Sequence, residues 1–358
     1  MLAIAPIAAS SNEPHVDFPE HDWHSVSPQE AGWSAAKLEE AEQYLSTLPP
    51  ASVFIVDRGR VVAKWGDPAK RIKVSSIRKS LLSALYGIYA HAGRIALDAN
   101  LVDVGIDDDP PLMTNERMAT LRMLLKSRSG VYHGYVAGTP DQKADQPPRG
   151  AHAPDTYWYY NNWDFNALGT AFEKLSGQRI PAAFEEKIAK PIGMQDFRPE
   201  DVYYLRAKAG APLDERSVHP AYHFRVSARD LARFGYLYLQ SGKWRAAEVL
   251  PRGWVEESIH PYSDAGNGEG YGYLWWINGW GLGVNSFSAR GALAKRVIVI
   301  PSRELVIVYL NHAEFPDDTT GMSSAEISNL PHPSTEQQSK LFRMILDAQG
   351  PQARFRAR

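Results

Sequence analysis

Ser76 and Lys79 stand three residues apart in the stretch 73–89, Lys-Val-Ser-Ser-Ile-Arg-Lys-Ser-Leu-Leu-Ser-Ala-Leu-Tyr-Gly-Ile-Tyr, and at helical spacing they share one turn. A serine hydroxyl is a weak nucleophile until a neighbour takes its proton, and a lysine can take it only if burial or nearby cations pull its pKa well below the free value. The stretch supplies both conditions. Ile77, Leu81, Leu82, Ala84, Leu85, Ile88 and Tyr89 cover most of the circumference, which predicts a helix inside the molecule. In its first turn the free backbone N–H groups and the positive helix end stabilise negative charge on the serine oxygen and disfavour an extra proton on the amine. Arg78 adds positive charge beside them. Ser76, Ser80, Ser83 and Gly87 form a second stripe, of small residues that let another element approach closely.

A second Ser-x-x-Lys, Ser34 to Lys37, shows the alternative use of the same spacing. It precedes an amphipathic run with Leu38, Ala41, Tyr44 and Leu45, so Ser34 reads as a helix cap and Lys37 as a solvated side chain. Taken alone, Ser76 has the same two readings, nucleophile or cap. Other groups separate them. Tyr157-Trp158-Tyr159-Tyr160-Asn161-Asn162-Trp163 holds a tyrosine and an amide two residues apart, which from extended backbone face one pocket. The phenol can relay protons and the amide can hold a polar group, the competing reading for so many aromatics being core or lid. Ser286-Phe287-Ser288-Ala289-Arg290-Gly291-Ala292 reads as a strand whose glycine lets a substrate lie close to the backbone, and a strand edge can donate an N–H to an oxyanion.

These groups must be positioned by an α/β framework. Residues 52–56 and 61–65 are β-rich runs around Asp57-Arg58-Gly59-Arg60, a hairpin signal directly before the central helix. From Gly93 the pattern turns to short helices and loops, and residues 129–155 form a long stretch rich in Gly, Pro, His and Asp, of the kind that is usually functional. Helices are predicted over 162–176, closed by Gly177, over 180–190, stopped by Pro191, and from the Ser227 cap to Ser241-Gly242. Strand signals resume at 271–277, 284–289, 296–300 and 304–311, before a last amphipathic helix with Leu341, Ile345 and Leu346. The order predicts an α/β domain made by both termini, 1–90 with 265–358, interrupted by an all-helical insertion, 91–264.

Composition narrows the partners. A formal net charge of -2 with 22% charged residues argues against a nucleic-acid surface, and the expected partner is a small molecule. With no cysteine there is no disulfide, thiolate nucleophile or cysteine-ligated zinc, so redox chemistry does not indicate a compartment. Met-Leu-Ala-Ile-Ala-Pro-Ile-Ala-Ala-Ser resembles the tail of a secretory signal without a basic segment. If residues 1–15 are a leader remnant the protein is periplasmic or secreted, otherwise cytoplasmic. No apolar run approaches the length of a membrane span, and the oligomeric state is left open. His21 with His24 and His219 with His223 lack the carboxylate pattern of a metal site, so no metal or cofactor is expected. Gly266-Asn267-Gly268-Glu269-Gly270 precedes a strand and reads as a turn. The chain contains no Gly-x-Ser-x-Gly, which argues against a Ser-His-Asp α/β-hydrolase.

The ordered set carries a family resemblance. Ser76-Ile77-Arg78-Lys79 after a hairpin, Leu124-Leu125 followed by Ser129-Gly130, Tyr160-Asn161-Asn162 with Leu168-Gly169, and Phe287 to Gly291 before Val297-Ile298-Val299-Ile300-Pro301 together resemble the β-lactamase-related serine hydrolases. That group includes class C β-lactamases, D-alanyl-D-alanine peptidases, family VIII carboxylesterases and 6-aminohexanoate-dimer hydrolases. The resemblance covers nearly all the chain beyond about Gly32. It implies a β-lactamase/DD-peptidase-like fold, an antiparallel sheet flanked by helices, with the site in the cleft between the two parts. It further implies Ser76 as acylated nucleophile, Lys79 as its proton acceptor, Tyr160 as acid/base, Asn162 orienting substrate and Lys79, and an oxyanion hole from the backbone N–H groups of Ser76 and Ala292. Sequence leaves open whether Lys79 or Tyr160 takes the first proton.

One position departs from the pattern. Members that recognise β-lactams carry Lys or His two residues before the strand glycine, and here Ala289 stands there. Arg290 follows on the opposite face by alternation, and Lys295 is the next cation along. The expected reaction is ester or amide hydrolysis on a substrate without that carboxylate, as in a carboxylesterase or amidase. Tyr132, His133, Trp158 and Trp163 are expected to make the pocket aromatic, with Arg290 and Gly291 on its strand side. The alternatives are a β-lactamase or D-alanyl peptidase, and a catalytically silent binding relative.

Overall fold

The computed structural model of the protein describes residues 17–279, 281–317 and 322–350; the apolar opening stretch lies outside them. Ser34 caps α1 (Ala35–Ser46), its Oγ accepting from Lys37 N–H at 3.4 Å, and Leu38, Ala41 and Leu45 are buried beneath. The second Ser-x-x-Lys is thus a cap. Ser34→Ala is expected to lower the free energy of unfolding by about 1 kcal/mol in a denaturant titration, and a loss of several kcal/mol would show that the hydroxyl does more than cap.

The hairpin forms as its turn residues dictate. β1 (Ala51–Asp57) and β2 (Arg60–Trp65) are joined by Arg58 and Gly59 with φ of 49° and 81°, the left-handed pair of a tight two-residue turn. β3 (Ile72–Lys73) leads into α2 (Ile77–His91), the buried helix. The small stripe on α2 is used for close approach. Ser80 Oγ donates to Leu274 O at 2.7 Å, and a Cβ on Gly87 would lie 2.3 Å from the Trp254 ring.

In the middle of the chain come α3 (Leu121–Leu125), α4 (Pro140–Ala144), α5 (Asn162–Ser176) and α6 (Ile180–Phe184), whose last turn widens over Glu185–Ala189. The stretch also contains strands, against the expectation of an all-helical insertion. β4 (Val202–Leu205) and β5 (Ala221–Val226) join β3 in a small sheet, through Tyr203 opposite His223 and Ile72 opposite Val226. Val-Tyr-Tyr-Leu and Ala-Tyr-His-Phe-Arg-Val are aromatic and β-branched enough to extend once another strand offers an edge. α7 (Ala228–Leu239) is followed by β6 (Lys243–Trp244), β7 (Ala247–Glu248) and α8 (Arg252–Ser258).

The C-terminal part supplies β8 (Ser263–Gly266), β9 (Glu269–Tyr271), β10 (Trp276–Ile277), β11 (Phe287–Gly291), β12 (Lys295–Ile300) and β13 (Leu305–Asn311), then α9 (Ser324–Ser328) and α10 (Thr335–Gln349). These strands and the hairpin form one antiparallel sheet, ordered β2-β1-β13-β12-β11-β10-β9-β8. The single strand expected over 271–277 is broken at Leu274, whose φ is 64°. The strand expected from 284 begins at Phe287.

Both faces of the sheet are covered, so its central strands are apolar on both sides. Val53, Ile55, Ile298, Ile307 and Tyr309 pack with α1 and α10, while Phe54, Val56, Val297, Val299 and Val306 pack in the core that contains α2 and α7. Gly235 of α7 allows the helix to sit on the sheet, since a Cβ there would lie 2.7 Å from Val306 Cγ1. Among the described residues no helix is long and apolar enough to cross a membrane.

Candidate active site

The backbone leading into α2 is held from two sides. Val74 N–H donates to Phe224 O of β5 at 3.0 Å, and Ser75 takes a φ of 51°, a left-handed conformation that few side chains adopt. Ser76 then enters the helix with φ −73° and makes no side-chain capping bond. Its Oγ lies 3.0 Å from Lys79 Nζ instead.

Lys79 is 2% exposed, and Nζ donates to Tyr160 Oη at 2.6 Å and to Asn162 Oδ1 at 2.8 Å. The rings of Tyr160 and Phe165 each lie 4.1 Å from Nζ. Burial and, second to it, the Arg78 guanidinium hold the amine well below the usual lysine pKa. Burial pushes the Tyr160 phenol up to about 12, against the Ser76 hydroxyl and the Arg78 charge, which pull it down. Both shifts favour a neutral amine beside a neutral phenol. Such an amine has two hydrogens and one lone pair. Asn162 Oδ1 can only accept, so with the second hydrogen on Tyr160 the lone pair remains for the Ser76 hydroxyl.

The partners of Lys79 are themselves positioned. Asn161 caps α5: its Oδ1 accepts from Trp163 N–H at 3.2 Å and its Nδ2 donates to Val131 O at 2.6 Å. Tyr160, just before the cap, and Asn162, the first residue of the helix, therefore reach the same amine. Asn162 Nδ2 donates to Gln142 Oε1 at 3.0 Å, which leaves Oδ1 facing Lys79. Sequence reasoning missed Gln142. Its signal was the capping box Thr139-x-x-Gln142, which starts α4 inside the long loop and brings this amide to Asn162.

β11 completes the site. A Cβ on Gly291 would lie 2.3 Å from Val74 O, so the strand packs directly against the segment that precedes Ser76. This corrects the expected role of Gly291, because the space before it belongs to Val74 and not to a substrate. Ala292, exposed at the strand end, lines one cavity with Ser75, Ser76 and Asn162. The chain turns straight after it through Leu293 and Ala294, at φ 54° and 60°, and Arg296 donates to Gly291 O at 2.6 Å. An oxyanion between Ser76 and Ala292 would sit at the head of α2. Lys73, Arg78, His223 and Asp317 line the same cavity, and sequence reasoning assigned none of them to substrate.

Several expected pocket residues lie elsewhere. Tyr132 is buried against Tyr159 and His152, and His133 is bound to Pro110 O at 2.9 Å. Trp163 is fully buried and donates to Asp108 Oδ2 at 2.7 Å, a carboxylate that also receives Ser217. Trp158 packs on Tyr271 and Trp276, and the aromatic surround of Tyr160 is Phe165, Tyr271 and Trp276. Arg290 is held by Glu269 at 2.7 and 3.0 Å and lies over the Trp276 ring. Lys295 is fully buried, donates to Ala313 O at 2.6 Å, and burial pulls its amine down to about 7. His219 bonds Thr170 while His223 packs beside Tyr203. Among the described residues no group of three or more His, Asp or Glu side chains could hold a metal ion.

Comparisons with known proteins agree with this architecture. No curated protein sequence matches the chain. A Bacillus anthracis protein with the provisional name 6-aminohexanoate-dimer hydrolase superposes with a TM-score of 0.64 at 19% identity, covering 92% of this chain and 87% of that one. An octameric penicillin-binding protein homologue from Pyrococcus abyssi gives 0.60 at 19% identity over 78% of this chain and 74% of its own. A penicillin-binding protein homologue from Caulobacter crescentus gives 0.60 at 14% identity over 87% and 97%. At such identities these structures share the fold. A model of the family described as Beta-lactamase matches residues 38–324, most of the chain, and the protein belongs to that family of serine hydrolases.

Proposed function

We propose that the protein hydrolyses an ester or amide of a small molecule through an acyl-enzyme on Ser76. The observation that carries this is Lys79 Nζ, buried and within hydrogen-bonding distance of both Ser76 Oγ and Tyr160 Oη. Ser76 Oγ attacks the substrate carbonyl carbon as its proton passes to Lys79, and the carbonyl oxygen becomes an oxyanion against the N–H groups of Ser76 and Ala292. The tetrahedral centre collapses, the C–O or C–N bond breaks, and the leaving group takes a proton through Tyr160. Water then attacks the acyl carbon, gives a proton to the Tyr160–Lys79 pair, and frees the carboxylic acid and the Ser76 hydroxyl. Asn162, fixed by Gln142, keeps the amine in line.

Ala289 is fully buried within β11, at the position where β-lactam-recognising relatives carry a cation. This favours carboxylesterase or amidase chemistry over β-lactam hydrolysis. Short p-nitrophenyl esters are expected to exceed nitrocefin in kcat/KM by about 10- to 100-fold, the worth of one missing charge-assisted contact. Comparable turnover of nitrocefin would favour a β-lactamase, and no Ser76-dependent turnover of any of these substrates would favour a binding protein.

A further inference from the structure

The cavity beside Ser76 has a volume of ≈ 70 Å³, room for a carboxylate and about one water. Its lining contains buried polar atoms with no hydrogen-bond partner among the described residues: NH1 of Arg78, both ring nitrogens of His223 and Oγ of Ser75. Buried polar groups are paired in the great majority of cases, and each unpaired one costs stability, so three together at one cavity point to a ligand. All three side chains can donate.

The charge around them is positive. The Arg78 guanidinium is 3% exposed and meets no carboxylate among the described residues: NH2 donates to Asn166 Oδ1 at 2.9 Å, and the Tyr222 ring lies 4.3 Å below. The Tyr222 hydroxyl acts on the guanidinium by charge and by a weak hydrogen bond, in a geometry too poor to satisfy either NH1 or Oη. Lys73 adds a second cation, bound at 2.6 Å to Asp317, which is the one acid among the described lining residues and also receives Tyr203 Oη.

We infer that this cavity receives a carboxylate of the substrate, with Arg78 and His223 donating to its oxygens, so that the natural ester or amide is an anion. The position relative to the scissile bond rests on the hydrolase reading above. The inference keeps the preference for esters or amides over β-lactams and changes one part of the expectation drawn from Ala289, that the substrate lacks a carboxylate. Position 289 of β11 carries no cation, and the cations that line the cavity with Ser75 and Ser76 are Arg78 of α2 and Lys73 of β3.

Two matched ester pairs test it. Mono-(4-nitrophenyl) glutarate against 4-nitrophenyl methyl glutarate carries the charge on the acyl side, and 4-acetoxybenzoate against methyl 4-acetoxybenzoate carries it on the leaving side. In at least one pair the anion is expected to exceed its neutral partner about tenfold or more in kcat/KM, as a charge-assisted contact supplies. Arg78→Gln and His223→Leu should each bring that ratio towards one, whatever they do to the absolute rates. Ratios near one in the unmodified protein, or a ratio that survives both substitutions, would overturn the subsite and leave the hydrolase reading standing. If no ester is hydrolysed, the hydrolase reading fails and binding decides. Glutarate raising the melting temperature of the unmodified protein, but of neither variant, supports the subsite, and any other outcome overturns it.

Discussion

Ser76→Ala is expected to lower kcat/KM for a short p-nitrophenyl ester by about 10⁴-fold or more while the unfolding midpoint hardly moves. The activity loss follows from removing the atom proposed to carry the acyl group. The small effect on stability follows from what Ser76 does not do: it is partly exposed, and its hydroxyl makes no cap for α2. Alanine removes one hydrogen-bond partner from Lys79, which keeps Tyr160 and Asn162. A variant that lost activity by unfolding would show it in the denaturant titration. Retained hydrolysis would refute the role assigned to the hydroxyl.

Replacing Lys79 tests how that hydroxyl is activated. Lys79→Met should cost about 10³- to 10⁴-fold in the acylation rate, the range of a lost general base. Lys79→Arg should be nearly as inactive, because a guanidinium keeps its charge and has no lone pair to receive the serine proton. If Lys79 served only as a fixed positive charge, arginine would preserve much of the rate. The pH dependence has a definite sign. The active form has a neutral amine, and burial with Arg78 holds its pKa below the usual lysine value. kcat/KM therefore rises with pH and reaches its plateau earlier than an ordinary lysine would allow. It falls again only as the phenol ionises, and burial pushes that up to about 12. The two groups are 2.6 Å apart, so the limbs belong to the pair. A plateau that begins only at the pKa of a solvated lysine would contradict a buried, proton-accepting amine.

The features that sequence revealed best are local. Ser76 and Lys79 share a turn, Arg58-Gly59 closes a hairpin, and Gly177 closes α5, each within a few residues. The aromatic pocket was misread because neighbours in a helix do not share a face. Successive residues point about 100° apart, so Asn162 reaches Lys79 while Trp163 turns into the core towards Asp108. His133 and Tyr132, which lie in the long loop, are used to pack it. The cavity of Arg78, His223 and Lys73 was not legible, because its walls meet only through pairing of β3 with β5, some 150 residues apart. Gln142 was missed for the same reason at shorter range, since its amide finds Asn162 only after α4 has formed.

The central claim is that the oxygen of Ser76 becomes covalently acylated. Intact-mass analysis after incubation with a fluorophosphonate, followed by peptide mapping, reads this directly. One adduct per chain is predicted, on the peptide containing Ser76 and absent from Ser76→Ala. An unmodified chain that still hydrolyses esters, or an adduct mapped to another residue, would contradict the mechanism.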